Sequence, residues 1–231
     1  MNPSTRIKSA YLCLRQDIIE CCLLPNEKLR VEHLKDCYHV GAGTLREAMS
    51  LLIADGLVTS QAHRGFRVAP ISLDDFKDVT EIRLRIECEA LRQAIDTGDD
   101  IWEANLLSAF HRLHKSEERL DNSNQRFVWE VHNQTFHETL ISACPSHWLK
   151  HFFSILYRQA IRYRHIALRQ NTIPRDIHKE HAELVEAVLS RDKARAVKLL
   201  GDHIQFTLNT ILALPPELLI KNFPTHSGVS E

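Results

Sequence analysis

The side chains best equipped for chemistry in this sequence are its histidines. Eleven of the fourteen lie beyond residue 72. Asn133 and His137 are four residues apart in a segment with helical spacing, so they lie on one face of that helix. Imidazole is the commonest metal ligand among side chains, whereas a lone histidine in a helical protein is more often a hydrogen-bonded core or surface residue. The spacing by itself leaves both interpretations open.

The familiar catalytic motifs are absent from the sequence. It contains no nucleophile elbow, no phosphate-binding loop and no His-Glu-x-x-His zinc motif. The paired Glu-x-x-His motifs that hold di-iron centres in helical bundles are also missing. The six cysteines form no Cys-x-x-Cys pair, so we expect small buried side chains rather than zinc ligands or disulfides. We therefore expect no enzymatic activity, although a metal-dependent helical-bundle enzyme stays an alternative.

The elements in the first part of the chain follow the order of a winged helix-turn-helix. Apolar residues at helical spacing predict three helices, over residues 5–21, 31–38 and 43–55. Two glycines in three residues, Gly41 and Gly43, mark the turn before the third helix, and Gly56 ends that helix. Two short β-rich runs around a glycine-containing turn then predict a hairpin over residues 57–68.

The rest of the chain is predicted to be entirely helical. No strand pattern occurs after residue 74, and short breaks rich in Gly, Pro, Asn and Asp separate the periodic segments. The fold class is therefore mainly α, with a winged helix-turn-helix in residues 1–72, a bundle of about six helices in 73–215 and a flexible tail in 216–231. The predicted helices of the bundle span residues 73–97, 100–120, 124–143, 146–169, 175–190 and 192–214.

Composition and charge fit a globular protein that is not strongly basic. Hydrophobic residues make up 44% and charged residues 26% of the chain, and the net charge is −1. Residues 1–72 hold 9 Lys and Arg against 7 Asp and Glu, so charge alone does not identify a nucleic-acid binder. No apolar run reaches the ~18 residues needed to cross a bilayer. Because no basic-then-apolar leader opens the chain, we expect a cytoplasmic protein with no membrane partner.

Several motifs occur in a characteristic order. They are Leu24-Pro25-Asn26-Glu27-Lys28-Leu29, Gly43-Thr44-Leu45-Arg46-Glu47-Ala48, Asp55-Gly56-Leu57-Val58, Arg64-Gly65-Phe66-Arg67-Val68, Glu81-Ile82-Arg83-Leu84-Arg85-Ile86-Glu87, Phe136-His137-Glu138-Thr139-Leu140, Glu180-His181-Ala182-Glu183-Leu184 and Asp202-His203. With these motifs the chain resembles the GntR family of bacterial regulators over residues 10–210. Its helical part resembles the FadR subgroup, with an FCD effector domain. Residues 156–164 are further similar to the carbon-starvation-induced CsiR-type branch.

The resemblance implies that the chain binds a double-stranded DNA operator as a homodimer. The recognition helix would present Thr44 and Arg46 to base edges or phosphates. Arg30 is placed to contact a phosphate, and the wing tip His63-Arg64-Gly65 suits the minor groove or the backbone. The family usually has Ser-Arg where this chain has Gly41-Ala42. We therefore expect an operator that differs from the family's common site.

In the FCD family, four positions occupied by Asp, His, His and His hold a divalent metal ion in the bundle core. The matching residues here are Asn133, His137, His181 and His203. Three imidazoles suit a transition metal such as Zn²⁺ or Ni²⁺ and leave coordination positions for a ligand carboxylate. An amide oxygen is a neutral and weaker ligand than a carboxylate. The resemblance thus implies a metal site of lowered affinity and leaves open whether Asn133 coordinates the ion.

The resemblance also implies a small carboxylate effector, such as the dicarboxylate glutarate. Arg83 stands at the family's Arg-x-x-x-Glu position with Glu87, and an inward arginine is costly unless an anion or acid pairs with it. Arg162 and Tyr163 add donors from the long helix after Pro145. We expect a repressor whose operator binding changes when the effector binds. A DNA-binding protein that needs no effector is the remaining alternative.

Overall fold

The computed structural model describes residues 3–61, 65–117, 123–170 and 176–214. In these ranges the chain forms two compact units. The first contains the chain up to Phe76 together with Ile161–Ile166 and Leu214, and the second contains Lys77–Ala160 and Ala167–Ala213. Because two long helices cross these limits, each of them contributes residues to both units.

The first unit is a winged helix-turn-helix, as predicted. Its elements are α1 (Pro3–Ile19), β1 (Lys28–Leu29), α2 (Val31–Cys37), α3 (Ala42–Ala54), β2 (Val58–Gln61) and β3 (Gly65–Val68). The strands form one antiparallel sheet in the order β1-β3-β2, in which Val58 pairs with Val68 and Lys28 with Arg67. Gly56, at a φ of 70°, follows α3 in the left-handed conformation that favours glycine. Strand β1 is not predicted from the sequence because two residues carry no alternation pattern.

The three helices of this unit share one apolar core. Leu14 of α1 packs in the same buried cluster as Leu45 and Leu52 of α3, and all three are fully buried. Each side chain of this size stabilises the fold by about 1.5–3 kcal/mol when it is removed from water. The hydroxyl of Tyr38, in the turn after α2, donates a hydrogen bond to Asp17 of α1. The turn before the recognition helix is therefore fixed to the core by both packing and a polar contact.

The second unit is all-helical, as predicted. Its elements are α4 (Leu73–Thr97), α5 (Asp100–Glu117), α6 (Ser123–Leu140), α7 (His147–Gln170), α8 (Ile177–Leu189) and α9 (Lys193–Leu212). Aspartate side chains cap the last two helices: Asp176 accepts from Lys179 N at 2.9 Å and Asp192 from Arg195 N at 3.0 Å. The predicted ranges agree with these helices to within a few residues. No helix in the described ranges is long and apolar enough to cross a bilayer.

The cysteines are reduced, but most of them are not buried. Cys144 is buried, whereas Cys13, Cys22 and Cys37 are exposed. The expectation of small buried side chains is wrong for these three. Cys13 lies on α1 and Cys37 on α2, whereas Cys22 lies between α1 and β1.

Candidate functional site

Three histidines from three helices converge in the second unit. His137 on α6, His181 on α8 and His203 on α9 each offer one ring nitrogen, and these nitrogens lie within 4.8 Å of one another. His137 and His181 are buried, and the side chain of His203 is only 12% exposed. The structure thus brings together the three histidines that the family resemblance implies as metal ligands.

Two glutamates orient the imidazole rings from outside this cluster. Glu117 Oε1 lies 3.3 Å from His181 Nδ1, and Glu180 Oε2 lies 2.8 Å from His203 Nδ1. A carboxylate on Nδ1 fixes the ring so that Nε2 is the nitrogen offered to a metal. Burial alone raises the pKa of the Glu117 carboxyl, but the hydrogen bond and charge of His181, together with His178, outweigh burial and lower that pKa.

Neither glutamate is predicted from the sequence as part of the site. Glu180 directly precedes His181, so its position in the sequence could have indicated that it lies near the site. Glu117 carries no such signal, because it reaches His181 only through the packing of α5 against α8. Long-range packing of this kind is not readable from helical periodicity.

Asn133 lies one turn before His137 on α6 and is almost completely buried. Its Nδ2 donates to the Tyr157 hydroxyl at 2.9 Å, and that hydroxyl donates to Glu130 Oε1 at 3.4 Å. Among the described residues, Asn133 Oδ1 is buried and has no hydrogen-bond partner. Leaving a buried acceptor unpaired costs about 1–3 kcal/mol. The amide nitrogen is therefore used in the bond to Tyr157. The amide oxygen, which is the atom that can bind a metal ion, stays available as a ligand.

Arg83 approaches the same tyrosine from α4. Its Nε donates to Glu87 Oε1 at 2.6 Å, and the two side chains are only 3% and 1% exposed. Its Cζ lies 5.4 Å from the centroid of the Tyr157 ring. Tyr157 thus contacts Arg83 through its ring and Asn133 through its hydroxyl. The bond from Nε leaves the terminal NH₂ groups as the part of the guanidinium that can take a carboxylate.

Arg162 and Tyr163, the other predicted effector-binding residues, belong to the first unit. Arg162 donates to the carbonyl oxygen of Ala69 at 2.5 Å and to that of Pro70 at 3.4 Å. Burial lowers the pKa of Arg162, and the nearby Tyr163 opposes that shift. These contacts hold the segment that leads out of β3, and a role in effector binding stays a prediction.

The Tyr163 ring and hydroxyl both contact the start of α4. The ring stacks on Phe76 with centroids 4.3 Å apart. The hydroxyl donates to Asp75 and accepts from the backbone N–H of Ser72 at 3.4 Å. Burial, followed by the bond to Asp75, raises the pKa of Tyr163 well above its usual value. Tyr163 is therefore a neutral donor at physiological pH.

The N-terminus of α3 has the features of a DNA-reading helix. Gly41 precedes the helix without a side-chain cap, so the first amide groups are left for an external acceptor such as a phosphate. Arg46 is exposed and Thr44 partly exposed on the first turns. A Cβ added at Gly41 or Gly43 would meet open space, so packing does not require glycine at either position.

The structure describes two of the other four residues that are predicted to contact DNA. Arg30 is exposed directly before α2. Gly65 opens β3 with a φ of 79°, the left-handed conformation that favours glycine in a tight wing turn. His63 and Arg64 lie outside the described residues. Their proposed contacts with the minor groove or backbone stay predictions.

Comparison with known families decides the class of protein. The FCD domain model matches residues 78–206, and the model for bacterial regulatory proteins of the gntR family matches residues 6–68. The chain belongs to the gntR family. It is a GntR-type transcriptional regulator with an N-terminal DNA-binding domain and a C-terminal FCD domain, as its resemblance implied.

Relatives of this GntR protein cover most of its length. It is 44% identical to the uncharacterized HTH-type transcriptional regulator BphR of Paraburkholderia xenovorans, over 91% of this chain and 86% of BphR. It is 37% identical to the HTH-type transcriptional repressor GlaR of Escherichia coli, over 84% of this chain and 90% of GlaR. Among solved structures, E. coli McbR/YncC has a similar fold, with a TM-score of 0.74 at 17% identity over 90% of this chain and 97% of McbR/YncC. BphR and GlaR are both named as HTH-type transcriptional regulators.

Proposed function

We propose that this GntR regulator is a homodimeric repressor that leaves its operator when a small dicarboxylate binds beside a divalent metal ion in the FCD domain. The observation that carries the proposal is the network around Tyr157. Its hydroxyl accepts from Asn133, one turn from the convergent histidines, and its ring faces the guanidinium of Arg83. Metal ligands and a carboxylate-binding arginine therefore contact one shared side chain.

The donor set fits a transition metal. His137, His181 and His203 supply imidazole nitrogens, and the buried Oδ1 of Asn133 is suited to a fourth position. All four side chains bind a metal ion as neutral ligands, and the carboxylates of Glu117 and Glu180, which contact His181 and His203, would supply negative charge next to the ion. A bound divalent ion would supply positive charge and open positions for a carboxylate. Asparagine in place of aspartate lowers metal affinity but leaves more of that charge for an anionic effector.

The second carboxylate of the effector would bind Arg83. Glu87 already neutralises much of its charge, so the attraction depends on the two NH₂ groups as hydrogen-bond donors. Among the buried polar atoms without a hydrogen-bond partner in the described residues are Thr80 Oγ1 on α4 and Trp129 Nε1 on α6. Thr80 is three residues from Arg83, and Trp129 is four residues from Asn133, so each shares a helix face with a proposed site residue. A polar ligand would satisfy such atoms.

The operator is bound through α3 in each protomer. Thr44 and Arg46 would contact base edges or phosphates in the major groove, with Arg30 and the wing residues His63, Arg64 and Gly65 on the backbone or minor groove. Two recognition helices related by the dimer axis would then read a pseudo-palindromic site. Because Gly41-Ala42 supplies no arginine, specificity rests more heavily on Arg46.

Helix α7 is the proposed connection between effector and operator. It carries Tyr157 of the effector network and, six residues later, Tyr163, which holds Ser72 and Asp75 at the start of α4. The separation corresponds to ~9 Å of helix rise. An effector that binds the two DNA-binding geometries with different affinity would shift the equilibrium between them. Arg162, on the carbonyl groups of Ala69 and Pro70, would make the same helix sensitive to the position of the linker.

The test is a thermal-shift screen of mono- and dicarboxylates on zinc-loaded protein. We expect a dicarboxylate to raise the Tm of the wild type and to have little effect on Arg83→Lys. Lysine preserves the ion pair with Glu87 but lacks the planar fork. Arg85→Lys is the matched control, because Arg85 is exposed on the same helix and pairs with Glu81. The proposal is wrong if no acid stabilises the wild type, or if Arg83→Lys responds as the wild type does.

A further inference from the structure

A second group of ligand side chains lies beside the three histidines. His114 and Glu117 are three residues apart on α5, and His178 is on the first turn of α8. Each offers one ligand atom, and these atoms lie within 4.8 Å of one another. Both imidazoles direct Nδ1 at the same oxygen, Glu117 Oε2, at 3.8 Å for His114 and 3.1 Å for His178.

The spacing of these atoms agrees with metal coordination. Bonds of about 2.0–2.2 Å place neighbouring donor atoms of a tetrahedral zinc site ~3.3–3.6 Å apart. The distances at Glu117 Oε2 bracket that value, so small side-chain movements would complete the geometry. The ring of His178 stacks on Phe110, with centroids 5.6 Å apart, and lies tilted against the ring of His114, with centroids 4.0 Å apart. Phe110 thereby holds the His178 ring in place.

The group lies close to the protein surface. The side chains of His114 and His178 are each 41% exposed, whereas Glu117 is 12% exposed. Two imidazoles and one carboxylate form a common three-residue set for zinc in proteins, with further positions open to water. Two neighbouring imidazoles and a carboxylate are also a lower-charge arrangement than a cluster of acids, which favours a transition metal over Ca²⁺ or Mg²⁺.

We propose that His114, Glu117 and His178 form a second, outer divalent-metal site of the Zn²⁺ type. It lies beyond the metal site in the proposed function and does not depend on effector binding. Glu117 links the two sites, because Oε2 faces the outer histidines while Oε1 lies 3.3 Å from His181 Nδ1. One carboxylate therefore serves as a ligand of the outer ion and orients a ligand of the inner ion. The occupancy of one site consequently affects the affinity of the other.

The experiment measures zinc stoichiometry by titration calorimetry and elemental analysis on the tag-free, full-length protein. We expect two zinc ions per wild-type chain and one per chain in both His114→Ala and His178→Ala. His111→Ala is the matched control, because His111 is exposed on α5 one turn before His114, and it should keep both ions. Circular dichroism checks that each variant retains its helices.

Two further variants separate the sites. His137→Ala removes an inner ligand and should leave the outer zinc bound. Glu117→Gln should abolish the outer site and weaken the inner one about 10- to 100-fold, the usual effect of losing an outer-shell carboxylate. The outer site is refuted if the wild type binds one zinc ion and His114→Ala and His178→Ala still bind one. Such a result leaves the inner site intact. If instead the wild type binds one zinc ion and His137→Ala still binds it, the metal ion in the proposed function is refuted and the outer site stands.

Discussion

Glu180 provides the sharpest test of the histidine cluster as a metal centre. Its Oε2 lies 2.8 Å from His203 Nδ1 and fixes the orientation of that ring. Glu180→Gln keeps the size of the side chain but removes the negative charge that supports the imidazole as a ligand. Because the glutamate does not itself belong to the three converging ligands, the site should survive with weaker binding.

The expected magnitude follows from the loss of an outer-shell partner. Such changes typically weaken metal binding about 10- to 100-fold. At a zinc concentration of a hundred times the wild-type Kd, zinc binding stabilises the wild type by about 2.7 kcal/mol, and this falls to about 0.4–1.4 kcal/mol in the variant. For a chain of this size, 1 kcal/mol corresponds to about 2–4 °C in Tm. The zinc-induced rise in Tm should therefore drop from about 5–11 °C to half of that or less.

The assay is differential scanning fluorimetry of metal-stripped protein with and without zinc at that fixed concentration. The matched control is Glu183→Gln, one turn further along α8, where the carboxylate is 41% exposed and pairs with Lys179 at 3.9 Å. That variant should keep the full zinc-induced shift. Equal shifts in Glu180→Gln and the wild type would refute a metal-orienting role for Glu180. An equal loss in Glu183→Gln would point to a general charge effect.

Three further predictions concern DNA, coupling and thiol chemistry. Arg46→Ala should abolish operator binding in a gel shift while circular dichroism stays unchanged, because Arg46 is exposed on the recognition helix; unchanged affinity would contradict the assignment. Tyr163→Phe keeps the stacking on Phe76 but loses the hydroxyl contacts, each of which is worth about 0.5–1.5 kcal/mol. Calorimetry should therefore show that the variant still binds the effector, while the effect of the effector on operator affinity becomes smaller. Burial raises the pKa of the Cys88 thiol to about 11, whereas Cys13 is exposed. Alkylation followed by mass spectrometry should therefore label Cys13 before Cys88 at pH 7.5, and the labelling of Cys88 should become faster as the pH approaches 11. Equal labelling rates of the two thiols at pH 7.5 would contradict this prediction.

Helical periodicity predicts most of this fold because each helix buries one continuous stripe. The α4 and α9 segments have clear breaks on both sides, and their ranges follow from residue types alone. Strand β1 is different, since Lys28 and Leu29 are extended only because they pair with Arg67 and Phe66 of β3. A two-residue strand has no period, so its existence depends on a partner that is distant in sequence.

Some residues of the candidate site could likewise be proposed from the sequence, and others could not. His137, His181 and His203 could be proposed together because the family resemblance supplied their pairing, and the structure places them in one cluster. Glu117 could not be proposed, because only packing between helices brings it to His181. The partners of Arg162 could not be predicted from the sequence either. The helix after Pro145 indicated a donor for an effector, and the structure shows that Arg162 donates to the backbone carbonyl groups of Ala69 and Pro70, so its part in effector binding stays a prediction.

The most direct test of an effector-controlled repressor is an operator titration in which effector and metal are varied together. An operator would first be selected from random DNA with the wild-type protein, and its affinity then measured by fluorescence anisotropy with zinc and with the best dicarboxylate of the thermal-shift screen. We predict that the acid weakens operator binding at least ~10-fold, a coupling of ~1.4 kcal/mol, in the wild type and has no effect on His137→Ala. Operator affinity that is insensitive to every acid tested, or an equal response in His137→Ala, would contradict the account.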